Sequence, residues 1–470
     1  MSDRALTLCA EDYSLLTDLY ELTMAACYVG EQLDQRPASF ELFVRQLPEN
    51  FGYLIAMGLA QALEYLENFR FSSAQIEALQ ATHIFADVPS AFWQRLAQAR
   101  FTGDVWAVPE GTAVFANEPL LRVEAPLWQA QIVETYLLNT LNYQTLIATR
   151  AARLRDTAGS TAQLLEFGTR RAFSPQGSLW AARAALAAGL DATSNVLAAV
   201  QLGRQPSGTM AHSLVMAFSA IEGGEDEAFL AFHRYFPGAT LLIDTYDTIA
   251  AARRLADRLK TGEMDVRSVR LDSGDLAALS QEVRSLLPNI SIVASGDIDE
   301  YKIAELQRNG ACIDGYGLGT RLVTGTPVNG VYKLVELDGV ATMKESSSKA
   351  SYPGRKQVYR CYDNNQWQSD CLTLVTEPPE RGEPLLKLVV KQGERVYEPE
   401  SLEAIAERTA ASVARLPTQI RQIQQPSMVQ PNLSPALQEL TERTHRRIHP
   451  SYTERNQAGG TGAAGSKTAH

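Results

Sequence analysis

A chain of 470 residues is too long for one compact core, so its length predicts two or three domains. The hydrophobic content of 45% and the charged content of 21% are those of an ordinary globular protein. A net charge of −11 argues against nucleic acid or an anionic membrane as a partner, although a local cluster of Arg and Lys can still hold a small anion.

The five cysteines are scattered, odd in number and without a CxxC pair. This pattern favours free thiols in a reducing cytosol over a disulfide framework or a zinc site. The N-terminal segment carries acids and lacks a continuous apolar core, so no signal peptide is predicted. The sequence contains no uninterrupted run of about 18 apolar residues, so no membrane span is predicted. We expect a cytoplasmic protein.

The N-terminal part mixes helical and strand patterns. The apolar spacing of YSLLTDLYELTMAACY predicts a helix that Ser14 or Thr17 caps, and ASFELFVRQLP alternates like a strand. GYLIAMGLAQALEYLENFRF predicts a helix that begins after Gly52. The stretch GDVWAVPEGTAVFANEPLLRVEAP is rich in turn residues and β-formers, and it predicts a small all-β section.

The central part repeats a strand–loop–helix pattern after one long predicted helix, LWQAQIVETYLLNTLNYQTLIATRAARLRDTAG. Strands are predicted to end near Phe167, Asp244, Asp272, Gly296 and Gly317, the later ones roughly 20 to 30 residues apart. Residues 190–212 leave room for two further units. The pattern favours an incomplete α/β barrel over a Rossmann sheet, because the glycine fingerprint of a Rossmann sheet is missing.

The C-terminal part is predicted to contain short strands, then the helix SLEAIAERTAASVARL and a low-complexity tail. The fold class is therefore α/β. The predicted parts are an N-terminal α/β domain (1–125), an α/β barrel with the active site (126–330), a C-terminal domain (331–455) and a disordered tail (456–470).

Polar and glycine-rich segments follow the predicted strands, where α/β barrels carry their chemistry. They are EFGTRR, PSGTMAHS, IDTYD, RLDSGD, ASGD and GLGTR. Backbone N–H groups in ASGD and GLGT can bind phosphate oxygens, although tight turns alone would also explain these glycines. Neither loop matches a P-loop.

Charged side chains accompany these loops. The acids can accept hydrogen bonds from sugar hydroxyls or hold Mg²⁺ through water, or they can cap helices, as we expect for Asp275 and Asp299. The acids beside the glycine loops are Asp272, Asp275 and Asp297. The arginines suggest an anionic ligand bound by bidentate hydrogen bonds, with a surface role left open for one of the first two. They are Arg170, Arg171, Arg270 and Arg321.

His212 in PSGTMAHSLVMAF is one of six histidines. The local sequence leaves open whether it is a buried structural residue or a reactive imidazole. No HxH or HExxH pair supports a metal hydrolase. His445 and His449 share helical spacing near RTHRRIHP, and we interpret them as surface residues at the basic end of a helix.

In this order the segments resemble nicotinate phosphoribosyltransferases, in the group that also holds the nicotinamide-specific enzyme. The resemblance covers most of the chain except the tail, from TDLYELTMAACY through LLEFGTRRA, PSGTMAHS, LIDTYDT, VRLDSGDL and GYGLGTRLVT to GVYKLV and PGRKQVYR. It implies a C-terminal domain packed beside the N-terminal one, and a head-to-tail homodimer whose N-terminal segments complete the partners' sites. It also implies synthesis of nicotinate mononucleotide and pyrophosphate from nicotinate and phosphoribosyl pyrophosphate, with Mg²⁺ and ATP hydrolysis, in NAD salvage.

The resemblance also implies roles for individual residues. ATP would phosphorylate His212, and Asp244 would bind the other ring nitrogen. The residues implied in nicotinate binding are Tyr20 and Phe167 as the two faces of an aromatic sandwich, together with Arg170, Thr209 and Arg270; Arg170 would hold the carboxylate or the departing pyrophosphate. The residues implied for phosphoribosyl pyrophosphate are Asp272 and Asp297 at the ribose and Gly296, Gly319 and Thr320 at the 5′-phosphate. The basic residues implied near ATP or pyrophosphate are Lys344, Arg355 and Lys356; no direct metal ligand is assigned.

Ser194 bears on the choice of substrate. DATSNV places it where the nicotinamide enzyme has an aspartate that accepts the amide N–H₂, and a carboxylate there would repel nicotinate. The acid is therefore the expected substrate, with nicotinamide as the alternative. A quinolinate phosphoribosyltransferase is less favoured, because that relative is shorter and lacks the histidine loop. A catalytically silent barrel that binds a nucleotide is a further alternative, which the complete set of polar residues disfavours.

Overall fold

The computed structural model of the protein describes residues 8–221, 223–346 and 349–449. Its helices are α1 (Leu19–Gly30), α2 (Leu59–Glu67), α3 (Ser73–Ala81), α4 (Ser90–Ala97), α5 (Leu127–Ile132), α6 (Glu134–Ala158), α7 (Pro175–Ala187), α8 (Val196–Gln201), α9 (His212–Ile221), α10 (Glu225–Tyr235), α11 (Thr248–Lys260), α12 (Leu276–Leu286), α13 (Glu300–Arg308), α14 (Thr320–Val323), α15 (Leu402–Ala414), α16 (Thr418–Arg421) and α17 (Pro435–Ile448). Its strands are β1 (Pro37–Val44), β2 (Leu54–Ile55), β3 (Asp104–Ala107), β4 (Ala113–Val114), β5 (Pro119–Pro126), β6 (Gln163–Glu166), β7 (Ala192–Thr193), β8 (Leu241–Leu242), β9 (Ser268–Leu271), β10 (Ser291–Ala294), β11 (Gly315–Leu318), β12 (Gly330–Leu337), β13 (Val340–Ala341), β14 (Glu345–Ser346), β15 (Lys349–Ala350), β16 (Lys356–Asp363), β17 (Gln366–Leu374), β18 (Glu383–Pro384), β19 (Lys387–Lys391), β20 (Glu394–Arg395) and β21 (Asn432–Leu433).

A seven-stranded sheet joins the two ends of the chain. Its order is β13-β12-β1-β5-β3-β19-β20, so three adjacent strands from before residue 127 lie between two pairs of strands from after residue 329. Phe40 of β1 lies opposite Leu334 and Val123, and its ring stacks on Tyr332 with centroids 4.9 Å apart. Shared strands and a shared core hold the N-terminal and C-terminal segments together.

A six-stranded parallel sheet carries the central segments, in the order β7-β6-β11-β10-β9-β8. Its strands are buried, as Leu164, Val269 and Ile292 show with no exposed surface, because helices cover a parallel sheet. The expected strand ends are confirmed within a few residues. Residues 190–212 supply one short strand, β7, rather than the two units for which the sequence has room.

A four-stranded sheet, β18-β16-β17-β21, is fastened to the rest by a buried arginine. Arg360 donates to both carboxylate oxygens of Asp370, at 2.9 and 2.7 Å, and to the carbonyl oxygen of Ala113 in β4 at 2.6 Å. Arg360 and Asp370 are both fully buried, and their bidentate geometry compensates the loss of hydration.

Two N-terminal expectations are corrected. The first long helix begins at Leu19 instead of near Ser14, because the buried Ser14 hydroxyl accepts a hydrogen bond from the backbone N–H of Arg70 at 2.9 Å. The second begins at Leu59 instead of after Gly52, because residues 54–55 form a strand that pairs with β4. Gly58 then turns the chain with a left-handed φ of 102°, a conformation that favours glycine.

The sequence also makes predictions about the cysteines, membrane spans and the tail. The five cysteines are all free thiols, as expected. None of the helices that the structure describes is long and apolar enough to cross a membrane. The expected disordered tail lies outside the described residues, and the domain boundaries stay predictions.

Glu21 of α1 provides a pH test of stability. Its fully buried side chain accepts a hydrogen bond from Gln131 Nε2 at 2.7 Å, and burial together with the nearby Glu134 raises its pKa to about 7. A carboxyl whose pKa is raised on folding stabilises the protein below its unfolded pKa of about 4.5, and this contribution is lost as the pH rises towards 7. Glu21→Gln is therefore expected to leave the free energy of unfolding nearly unchanged at pH 5 and to raise it by about 2 kcal/mol at pH 8.

The measurement is urea unfolding at both pH values and one protein concentration. Glu31→Gln, which removes an exposed carboxylate after the same helix, is the matched control. An equal effect of Glu21→Gln at pH 5 and pH 8 would contradict the assignment.

Candidate active site

The carboxyl ends of the parallel strands surround a cleft of about 410 Å³. The structure brings together at this cleft most of the residues that the sequence singled out: Phe167, Arg170, Ser194, Thr209, His212, Arg270, Asp272, Gly296, Asp297, Gly319 and Thr320. Arg171 also lines it, whereas Arg321 lines a neighbouring cleft with Gly296 and Asp297. One edge of one sheet thus presents an aromatic ring, guanidinium groups, carboxylates and glycine loops.

His212 is the first residue of α9 and lies between two cavities. It lines the cleft and also a second cavity that Asp244, Thr245 and Ser273 line. Its Nδ1 lies 3.1 Å from Thr245 Oγ1, and its Nε2 lies 4.0 Å from Asp272 Oδ2. The side chain is 38% exposed, so the imidazole is oriented by a hydroxyl yet open to a ligand.

The expected contact between Asp244 and His212 is wrong in this structure. Asp244 Oδ2 instead accepts hydrogen bonds from the backbone N–H of Asp272 at 2.8 Å and from Ser273 Oγ at 2.7 Å. These donors lie just beyond the end of the adjacent strand β9, and they use Oδ2 of the carboxylate. Thr245, the next residue, occupies the place by the ring, and Asp244 Oδ1 is buried without a partner among the described residues.

Thr245 was missed at the sequence level, although it stands in the segment IDTYD. A hydroxyl beside an acid at a strand end is the only signal, and it does not say which side chain faces the imidazole. Ser295 was missed likewise: its hydroxyl donates to Asp272 Oδ1 inside the cleft.

Arg270 is a largely buried cation, 12% exposed, with incomplete hydrogen bonding. Its Nη1 donates to the carbonyl oxygen of Met210 at 3.3 Å and its Nη2 to Asp272 Oδ1 at 3.4 Å, both at the long end for such bonds. Its Nε is buried and has no partner in the part of the chain that the structure describes. Burial lowers the pKa of Arg270, and the nearby Asp272 opposes this shift. An anionic ligand would complete the hydrogen bonding of this guanidinium.

The nearby Thr209 hydroxyl donates to the carbonyl oxygen of Thr240 at 2.7 Å. Its oxygen still has acceptor capacity, while its donor is used. Thr209 therefore borders the cleft with its hydroxyl fixed in orientation.

Two glycines shape the cleft by letting chains approach closely. Gly296 has a φ of 96°, and a side chain there would collide with the carbonyl oxygen of Asp272. A side chain at Gly317 would meet the ring of Phe167 at 2.6 Å, so the absence of one lets that ring lie on β11. Asp297 is also left-handed, with a φ of 50°, and its exposed carboxylate borders the cleft.

The capping interpretation is confirmed for two acids. Asp275 accepts hydrogen bonds from the N–H groups of Ala277 and Ala278, and Asp299 accepts one from Lys302 N. Both carboxylates satisfy helix N-termini.

The three basic residues expected at ATP or pyrophosphate are not among the residues that line the cleft. The expectation is corrected for Lys356, which is buried and donates to Glu41, Tyr352 and Gly354 at 2.7–2.9 Å, so all three of its N–H bonds are used. Arg355 pairs with Glu124 at 3.1 Å and Glu336 at 3.0 Å.

Lys344 and Tyr20 are exposed and do not border the cleft of their own chain. Their roles at a ligand stay predictions, as does that of Arg355.

The sequence and structure of the chain match those of known proteins. The family model described as nicotinate phosphoribosyltransferase N-terminal domain matches residues 15–142, the nicotinate phosphoribosyltransferase family model matches 162–349, and the C-terminal domain model matches 378–441. The nicotinate phosphoribosyltransferase pncB2 of Mycobacterium tuberculosis is 40% identical over 427 residues, which cover 87% of this chain and 89% of the relative. That of Bacillus subtilis is 41% identical, over 78% and 77% of the two chains. The human nicotinic acid phosphoribosyltransferase structure matches with a TM-score of 0.82 at 31% identity, over 91% of this chain and 99% of its own.

Proposed function

Since the chain belongs to the nicotinate phosphoribosyltransferase family, we propose that it converts nicotinate and phosphoribosyl pyrophosphate to nicotinate mononucleotide and pyrophosphate in NAD biosynthesis. The observation that carries this proposal is the convergence of Phe167, the underbonded Arg270 and the acid-and-glycine loops on one cleft. Incubation with phosphoribosyl pyrophosphate and either nicotinate, nicotinamide or quinolinate, followed by identification of the products, tests it. Nicotinate mononucleotide formed fastest from nicotinate is the expected result.

The reaction requires the protein chiefly to position the two substrates and to neutralise the charge of pyrophosphate. The pyridine nitrogen attacks C1 of the ribose as the C1–oxygen bond breaks, and pyrophosphate leaves with the bonding electrons. Phe167 would support the pyridine ring, and Arg270 would hold its carboxylate. Asp272 and Asp297 would orient the ribose hydroxyls, so the reacting atoms meet in a restricted geometry.

The 5′-phosphate would lie against backbone N–H groups near Gly296, Gly319 and Thr320, which border the same cleft. Arg170 would neutralise part of the charge on pyrophosphate or hold the nicotinate carboxylate.

The oxygen donors at the cleft fit Mg²⁺. Asp272 and Asp297 offer carboxylates there, and the buried Asp244 Oδ1 has no partner among the described residues. Carboxylates and substrate phosphates are the usual protein environment of Mg²⁺. The ion would neutralise pyrophosphate, and these aspartates would hold it, in part through water.

ATP coupling through His212 is the second part of the proposal. A proton on Nδ1, donated to Thr245 Oγ1, leaves the Nε2 lone pair free. Nε2 would attack the γ-phosphorus of ATP, the bond to the bridging oxygen would break, and ADP would leave with the electrons. Water would later hydrolyse the phosphohistidine to phosphate. The position of His212 between two cavities supports this link between ATP and the transfer reaction.

The assembly is proposed as a head-to-tail homodimer in which Tyr20 reaches the pyridine of the partner's site. Several large apolar side chains are exposed on the single chain, among them Tyr20 at 45%, Phe173 at 79% and Val200 at 65%, and an assembly would remove such surface from water. We also infer that the open parallel sheet is the incomplete barrel expected from the sequence, beside which the N- and C-terminal segments pack. The free thiols support a cytoplasmic location.

Ser194 supports nicotinate over nicotinamide. It borders the cleft, and its backbone N–H donates to the carbonyl oxygen of Glu166 at 2.9 Å, which fixes its position at the end of β7. Ser194→Asp is expected to lower kcat/KM for nicotinate about tenfold to a hundredfold through charge repulsion, and to leave nicotinamide less affected. Ser194→Asn is the neutral control of similar size. Equal losses with Asn and Asp would contradict the electrostatic role, and a wild-type preference for nicotinamide would favour the alternative function.

A further inference from the structure

A cluster of metal-ligating side chains lies outside the active site, where the end of α17 meets β14. His445, His449 and Glu345 each offer one ligand atom, and these three atoms all lie within 4.8 Å of one another. His445 Nε2 is 3.2 Å from Glu345 Oε1, and His449 Nε2 is 3.4 Å from Glu345 Oε2. Two distant segments of the chain therefore converge on one point.

The helix itself brings the two imidazoles together. Residues four positions apart on a helix lie on the same face, one turn apart. The backbone N–H of His449 donates to the carbonyl oxygen of His445 at 2.9 Å, so His449 keeps the helical spacing although it follows the last residue of α17. The ring centroids are 5.2 Å apart.

We propose that Glu345, His445 and His449 form a binding site for one Zn²⁺ ion, with water in the fourth position. Ligand atoms about 2.0–2.2 Å from zinc lie about 3.3–3.6 Å apart at the corners of a tetrahedron. Each imidazole nitrogen is close to this distance from one oxygen of the carboxylate, His445 from Oε1 and His449 from Oε2. Imidazole nitrogen and one carboxylate suit Zn²⁺ better than Mg²⁺, which prefers oxygen ligands alone.

The surroundings leave the site accessible. The side chains of His445, His449 and Glu345 are 50%, 55% and 28% exposed, so an ion and its water can enter. Arg447, two residues before His449, donates a hydrogen bond to the carbonyl oxygen of Ala341. This contact engages the neighbouring guanidinium outside the cluster.

The competing explanation is a pair of surface ion pairs between protonated histidines and Glu345. Exposed pairs of this kind contribute little to stability, and two adjacent imidazolium ions repel each other. Such ion pairs would not bind a metal ion. Neutral imidazoles, in contrast, have free nitrogen lone pairs, and they could bind a metal ion together with the carboxylate. A bound ion would fasten the end of the C-terminal helix to β14, next to Lys344.

The test is metal binding by the full chain after treatment with a chelator and its removal. We expect Co²⁺ to give the visible absorption of a tetrahedral nitrogen–oxygen site at one equivalent, and Zn²⁺ to displace it and raise Tm. Glu345→Ala, His445→Ala and His449→Ala are each expected to weaken this binding at least about tenfold and to remove the Zn²⁺-induced rise in Tm.

His83→Asn is the matched control, because it removes an exposed imidazole elsewhere and asparagine tolerates the left-handed φ of 60° at that position. It should bind Co²⁺ and Zn²⁺ as the wild type does. His212→Ala should do the same, which separates this site from the active site. Wild-type protein that takes up no stoichiometric Zn²⁺, or a His445→Ala variant with unchanged affinity and stoichiometry, would overturn the proposal.

Discussion

Replacing His212 with alanine is expected to abolish ATP hydrolysis and to leave a slow, ATP-independent synthesis of nicotinate mononucleotide. The variant lacks the nitrogen that would accept the phosphoryl group, whereas the groups proposed to hold nicotinate and the ribose remain. Losing a nucleophile commonly costs a thousandfold or more, so we expect ADP release to fall by at least about 10³.

The measurement follows ADP and nicotinate mononucleotide in parallel and records transfer of the γ-phosphate to the protein. Thr245→Val keeps the imidazole but removes the hydroxyl 3.1 Å from Nδ1, so we expect a partial loss of phosphorylation. Ser213→Ala, at the exposed residue after His212, is the control for a local change in α9. Unchanged ATP hydrolysis in His212→Ala would contradict the phosphohistidine.

Replacing Arg270 with alanine is expected to lower kcat/KM for nicotinate by about a hundredfold to a thousandfold. Truncating one partner of a buried charged pair costs about 2–5 kcal/mol. The Arg270 side chain is only 12% exposed, and its buried Nε lacks a partner among the described residues. Nicotinate carries the carboxylate that would complete this hydrogen bonding, and nicotinamide does not. The discrimination between the two substrates should therefore fall with Arg270→Ala.

The measurement compares kcat/KM for both substrates in the wild type and the variant. Arg270→Lys should recover only part of the loss, because an ammonium group cannot offer the planar pair of donors. Arg253→Ala, at an exposed arginine of α11 that pairs with Glu282 at 3.5 Å, is the control for a lost guanidinium that lines neither cleft. Equal losses for nicotinate and nicotinamide would contradict a role at the carboxylate.

The positions of the loops could be predicted from the sequence because a parallel sheet places all its carboxyl ends at one edge. Once Phe167, Asp272 and Gly296 are placed at strand ends, their convergence follows from the fold. This is why most of the expected residues border one cleft. The order of the motifs along the chain also allowed the sequence to be assigned to a family.

The direction of single side chains could not be predicted in the same way. Asp244 and Thr245 are neighbours at one strand end. The acid accepts hydrogen bonds from the backbone N–H of Asp272 and the hydroxyl of Ser273, and the hydroxyl of Thr245 is left beside His212. Lys356 illustrates a second limit. Its partner Glu41 is more than 300 residues earlier, and no local pattern announces a buried ion pair between them.

The start of α1 has a similar cause. Ser14 has the right residue type to cap a helix, but a backbone N–H from residue 70 takes its oxygen instead. Local propensity is overridden where a contact distant in sequence satisfies the same polar group.

The most direct test of the account follows nicotinate mononucleotide and ADP in one reaction of the wild-type protein with nicotinate and phosphoribosyl pyrophosphate, with and without Mg²⁺–ATP. The account predicts product in both reactions, faster formation with ATP, and release of ADP alongside the product. Product formation that ATP does not accelerate, with no ADP released, would contradict it.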